Sequence, residues 1–246
     1  MIPGGLINAW FKTERAKKHL NDLDEALGQY FDADKKPYSV SVENDRQHAT
    51  FTLRVEIEEP HVWLFLIAGD VFSCLRSALD HAIWRIASLH VAEPKENIQF
   101  PVIALDDKRG RKLFQKQTAG LPDEVVAVIE SLQPYRRLAG TTLTSHELWC
   151  LNKMANVDKH RRIAVHPTVA VTSWGVPPTS VIEGDGRRTF LFSLPAHSKM
   201  IGNPEVRIEV IFGSEADGVG LTLADIHLIH EFVARTVLVS LARFDP

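Results

Sequence analysis

The sequence predicts an α+β fold, a helical bundle of about four main helices with a small antiparallel β-sheet attached, in one domain over 1–246. Three observations carry that expectation. Segments 6–31, 60–91, 122–160 and 223–244 repeat apolar residues at three- and four-residue spacing, the period of a helix with one buried face. Segments 38–57 and 163–213 instead hold short runs with turn residues between them. No helical pattern separates consecutive strands within either segment, so they must pair antiparallel.

The first helix, Leu6 to Tyr30, has Leu6, Trp10, Ala16, Leu20, Leu23 and Leu27 as its apolar stripe. Strands follow at Tyr38 to Val42 and Ala49 to Ile57, the second alternating Phe51, Leu53, Val55 and Ile57 with polar residues, and Asn44-Asp45 reads as the turn. The central helix, Pro60 to Val91, is punctuated by Pro60 at its start and Pro94 beyond its end. Val71, Phe72, Leu75, Leu79, Ala82, Ile83 and Ile86 form its core face, which leaves Arg76, Ser77, Asp80, His81, Trp84, Arg85 and Ser88 on the remaining surface. Ile98 to Val102 reads as extended, and Asp106 to Gly120 as polar, mobile chain.

Pro122-Asp123-Glu124 opens a short helix with acidic residues in its first turn. Thr144 and Glu147 have capping-box spacing for the next helix, which ends near His160. In it Leu148, Leu151, Ala155 and Asp158 share one stripe and Asn152, Asn156 and His160 another. Strands are expected at Ile163 to Ser173, Ser180 to Glu183, Thr189 to Leu194 and Glu205 to Phe212, with Gly184-Asp185-Gly186 as a hairpin turn. Leu223 to Phe244 closes the chain as a helix with stripe Ile226, Ile229, Val233, Val237 and Leu241.

At 45% hydrophobic and 24% charged residues the composition is that of a soluble globular protein, and no segment is apolar for the length of a membrane span. The start Met1-Ile2-Pro3-Gly4-Gly5 lacks a basic region followed by a hydrophobic stretch, so a cytoplasmic protein is expected. Cys74 and Cys150 lack metal-ligand spacing and read as reduced core thiols. A net charge of -3 argues against coating nucleic acid through bulk attraction. Local positive stretches remain at Lys108, Arg109, Arg111, Lys112 and Lys116, and at Lys153, Lys159, Arg161 and Arg162. Taken alone, each reads as solvated charge.

The candidate chemistry lies in Arg76-Ser77-Ala78-Leu79-Asp80-His81, where Arg76 and Asp80 are one turn apart, as are Ser77 and His81. An arginine, four residues and a histidine, with a polar residue after the arginine on a long helix, resembles the signature of HEPN domains. The match covers this motif in a helical context. The same spacing at Arg85/His90 and Arg161/His166, and the looser Arg54/His61, are set aside: two cross element boundaries, and Arg85 is followed by apolar Ile86. The chain also resembles bacterial proteins that combine an Arg-Ser-Ala-Leu-Asp-His helix with an Asn-x-Asp-Lys-His-Arg string, here Asn156 to Arg161.

The HEPN resemblance implies a homodimer in which two Arg/His pairs face one cleft and, in active members, cleave RNA without a metal. It places the chain in a toxin, defence or stress setting, with an antitoxin or regulatory protein as a possible partner. His81 would move the proton of the 2′-hydroxyl or the leaving oxygen, Arg76 would hold phosphate oxygens, and a 2′,3′-cyclic phosphate would result. Asp80 would orient Arg76 or His81, and Ser77 would contact phosphate. Asn152, Asn156, Asp158, Lys159, His160 and Arg161 would lie nearby, because two polar helix faces in one bundle bury most cheaply against each other. The competing expectation is a non-catalytic nucleic-acid or protein interaction module whose Arg76, Asp80 and Asp158 or His160 form a structural ion network. No cofactor and no metal are expected. Asp225, His227, His230 and Glu231 offer donors, but the one Glu-x-x-His spacing, Glu58 to His61, crosses an element boundary.

Overall fold

Two long antiparallel-packed helices set the frame, α1 (Ile7–Tyr30) and α2 (Trp63–His90), which share the most extensive helix contact in the chain. The computed structural model describes residues 5–32, 34–35, 37–45, 50–90, 92–94, 98–137, 141–171, 178–195 and 205–245. Leu20, Leu23 and Leu27 of α1 meet Val71, Phe72, Leu75, Leu79, Ile83 and Ile86 of α2, the face that helical spacing assigned to the core. Each large side chain taken fully out of water contributes about 1.5–3 kcal/mol. The helix starts at Trp63, three residues beyond Pro60.

The remaining helices are α3 (Lys108–Gln117), α4 (Asp123–Ser131), α5 (Glu147–His160) and a C-terminal helix. That last helix begins as α6 (Leu223–Glu231), widens into a π-helical turn over Phe232–Val237 and ends as α7 (Leu238–Ala242). Counted as one, it makes six helices among the described residues where about four were expected. Segment 122–160 is two helices joined through short 3-10 turns, and α3 occupies the stretch expected to be mobile chain. The Asp107 side chain caps α3 by accepting from the Gly110 N–H, and Phe114 and Gln117 are buried. One aromatic anchor and a cap suffice where half of the helix is charged.

The capping-box expectation at Thr144 is corrected. Leu143–Ser145 forms a 3-10 turn, and α5 starts at Glu147 with the His146 ring accepting from the Leu148 N–H. A capping box does form elsewhere, between Thr222 and Asp225 at the start of α6. His227 meets Asp24 at 3.0 Å, and Nε2 of buried His230 lies 3.2 Å from the Thr13 carbonyl, so the candidate donors on α6 are spread among separate partners.

Two antiparallel sheets replace the single small one expected. The first has order β1-β2-β5-β4, with β1 (Tyr38–Asp45), β2 (Thr50–Glu58), β4 (Ser180–Gly184) and β5 (Arg187–Pro195). Asn44 and Asp45 pair with Phe51 and Thr50, so the ladder continues through the expected turn. Asp185 and Gly186, both at positive φ, form the two-residue turn between β4 and β5. The second sheet is β3 (Val165–Val171), β6 (Val206–Ser214) and β7 (Val219–Leu221) in the order β3-β6-β7. The part of the expected strand at residues 172–173 lies outside the described residues.

Alternation explains how the layers join. On β6, Val206 and Ile208 pack on Leu53, Val55, Ile57, Phe190 and Phe192 of the first sheet, while Val210 and Phe212 pack into the helical core. All four lie on one face of the strand. Sheet two therefore bridges bundle and sheet one. Among the described residues no helix is long and apolar enough to cross a membrane.

Candidate functional site

A polar stripe on a core helix is the origin of the site. Ser73, Ser77 and His81 repeat at four-residue spacing along α2, as do Arg76, Asp80 and Trp84, and these six with Ile98 and Lys159 line an open cleft of about 390 Å³. Residues Arg76, Ser77, Asp80, His81 and Lys159 were expected at the site and converge here. Lys159 comes from the last turn of α5, which packs against α2.

Arg76 departs from the expectation that it lies on the surface. It is 7% exposed, drawn in beneath the extended segment that begins at Ile98. One guanidinium nitrogen, Nη2, donates to Asp80 Oδ1 at 2.8 Å and to the Phe100 carbonyl at 2.7 Å. The Phe100 N–H donates to the same Asp80 oxygen at 3.0 Å. This closed set pins Phe100, itself fully buried, against α2. The Gln133 side chain holds the next turn of the segment, accepting from Ile103 N–H and donating to the Pro101 carbonyl. Arg76 Nη1 is buried with no hydrogen-bond partner among the described residues.

Burial pushes the Asp80 carboxyl above its ordinary range, opposed by Arg76, the Phe100 N–H, Lys159 and His81. Burial lowers the Arg76 guanidinium and Asp80 raises it, and arginine remains charged in any case. The pair is thus fixed and internally satisfied apart from Nη1. His81 and Lys159 are both exposed and, with Ser77, have no hydrogen bond or ion pair among the described residues. Trp84 presents 42% of its surface at the cleft's edge.

The other expected residues lie elsewhere. Asn156 and His160 are exposed outside the cleft, Asn152 is half-buried on α5, and Arg161 is ion-paired with Asp217. Asp158 abuts α2 at Gly69, where a Cβ would collide with its carboxylate. Burial and the neighbouring Asp70 hold the Asp158 carboxyl above its ordinary range. Its charge therefore opposes folding above that folded value, and the opposition fades as acid protonates it. Asp158→Asn is expected to raise the melting temperature at pH 7, with the gain gone by about pH 3, where both proteins are neutral there. Thermal melts at the two pH values check this.

Sequence reasoning missed Ser73, Trp84 and the Phe100 carbonyl as members of the site. The first two were legible as continuations of the four-residue stripe, whereas the Phe100 contact spans 24 residues and has no local signal. Both cysteines are free, and burial pushes the Cys150 thiol up to about 12, which suits a packed thiol rather than a nucleophile.

The fold and cleft define an α+β protein with a histidine-bearing cleft on its central helix. Comparison with family models, curated proteins and solved structures finds no match to this chain.

Proposed function

We propose that this protein is a HEPN-like, metal-independent endoribonuclease, its cleft binding single-stranded RNA and cleaving it by 2′-hydroxyl attack to a 2′,3′-cyclic phosphate. The observation that supports this reading is the convergence of an exposed imidazole, a lysine ammonium and an exposed indole on one open cleft, beside a buried guanidinium. A histidine with no competing partner can carry the proton of the attacking hydroxyl or the leaving oxygen. Lys159 and Ser77 offer donors to the phosphate, and Trp84 offers a face on which a neighbouring base can stack.

Arg76 takes a different part from the one its motif suggests. With Nη2 committed to Asp80 and Phe100, it cannot grip a phosphate with both forks in this conformation. It is a positioning residue that fixes the cleft's wall and adds positive potential. A second copy facing the cleft, as in the HEPN arrangement, would supply a second imidazole, so that one histidine takes a proton while the other gives one.

The alternative is an interaction module without catalysis, and the closed Arg76–Asp80–Phe100 set favours it, because it accounts for the motif by structure alone. Incubation of labelled RNAs in EDTA separates the two. Wild type is expected to leave cyclic-phosphate ends, and His81→Ala to cut at least about 100-fold more slowly with unchanged circular dichroism. Intact RNA with wild type, or equal rates for the two proteins, would sink the nuclease reading.

A further inference from the structure

A second cleft, of about 400 Å³, opens where β2 runs into α2 and β3 begins. Two histidines set aside in the sequence because their arginine spacing crosses element boundaries, His61 and His166, meet on its wall. They are 105 positions apart in sequence (166 minus 61), and only the fold brings them to one place.

The cationic groups here are not equivalent. Arg188 is held by Glu59 at 3.1 Å and Glu183 at 2.7 Å, so its charge is taken up and one carboxylate charge is left over. Arg162 lies with its guanidinium carbon 5.2 Å from the centre of the Phe65 ring, is exposed, and has no carboxylate partner among the described residues. Nδ1 of His61 accepts from the Trp63 N–H at 3.3 Å, which places the proton of the neutral ring on Nε2, directed away from the backbone. The walls between these groups are apolar, from Phe65, Val62 and Ile163.

We propose that this cleft binds a phosphate monoester, Arg162, His61 and His166 holding the phosphoryl oxygens and the Phe65 wall taking whatever body the phosphate carries. An unmatched guanidinium recognises phosphate by paired N–H donors, and two imidazoles in the same lining add donors. Burial and Arg188 hold the His166 imidazole below its ordinary value while Glu59 and Glu183 raise it, and a bound dianion adds to the raising side. The volume lies in the range that encloses a small ligand, and Arg162 offsets the one carboxylate charge that Arg188 leaves over from Glu59 and Glu183, so the cleft is neutral overall and Arg162 is its one cation without a carboxylate partner among the described residues. The inference stands independently of the first cleft.

The test is an NMR titration of the imidazole signals of the full chain at constant ionic strength, with inorganic phosphate in one arm and adenosine 5′-monophosphate in the other. The His61 and His166 signals, assigned by His61→Gln and His166→Gln, are expected to move saturably with a dissociation constant of about 1 mM or tighter in at least one arm. Tighter binding of the nucleotide identifies a phosphate with an attached body, and equal binding identifies free phosphate. Arg162→Gln, an exposed change that leaves the core intact, is expected to weaken binding about 10-fold. The absence of saturable movement up to about 10 mM in both arms, or full affinity in Arg162→Gln, overturns the proposal.

Discussion

Arg76→Ala is expected to lower the unfolding free energy by about 2–4 kcal/mol, because it strands Asp80 and the Phe100 carbonyl beneath the extended segment. The figure stays below that for a fully buried ion because the Asp80 side chain is 37% exposed and water can reach it. Urea denaturation measures the loss. A double change, Arg76→Met with Asp80→Leu, removes both charges together and is expected to recover a large part of it. A loss below about 0.5 kcal/mol for Arg76→Ala would show that the pair does not hold the segment. This matters for function: lost RNA cleavage in Arg76→Ala would report a collapsed cleft wall as readily as a missing catalytic group. The exposed His81, which supports no packing, is the residue whose replacement can be interpreted.

Gly213→Ala is expected to cost about 3 kcal/mol or more, for two reasons that act together. Gly213 has φ of 101°, a region closed to ordinary side chains, and a Cβ there would run into the Val219 carbonyl on the paired strand β7. The backbone cannot give way easily, since the Gly213 N–H donates to the Ala164 carbonyl at 2.7 Å and Phe212 beside it is fully buried. Gly218, also at positive φ but with open space around it, is the control, and Gly218→Ala should cost only about 1 kcal/mol. Thermal unfolding of the two variants decides, and equal costs would remove the steric part of the account.

What the sequence made legible follows from the range of the interactions concerned. The core face of α2 and the alternation of β2 are written in consecutive residues, and Leu75, Leu79, Leu53 and Val55 are buried as their spacing requires. Charged α3 escaped because its single buried aromatic, Phe114, gives no period to detect. At the site, Ser77, Asp80, His81 and Lys159 reach the cleft because helix geometry aligns the first three and the packing of α5 on α2 brings the fourth. The fate of Arg76 was not legible: a guanidinium on a helix faces water until some distant segment offers a carbonyl, and Phe100 is that segment. Nor was the division into two sheets, since β2 could have paired with any strand of the second half until its register with β5 was known.

That pairing also has a temporal side. Glu58 on β2 sits opposite Arg187 on β5, 129 residues later, so a growing chain displays the β1–β2 hairpin long before its partner strand exists. During that interval Leu53, Val55 and Ile57 are an uncovered apolar row on an open strand edge. Closure across so long a loop is slow in general compared with contacts close in sequence, such as those of α1 with α2. Until then the C-terminal helix at 223–242 is also missing from the bundle core, so both the hairpin and the faces that helix covers wait on the last part of the chain.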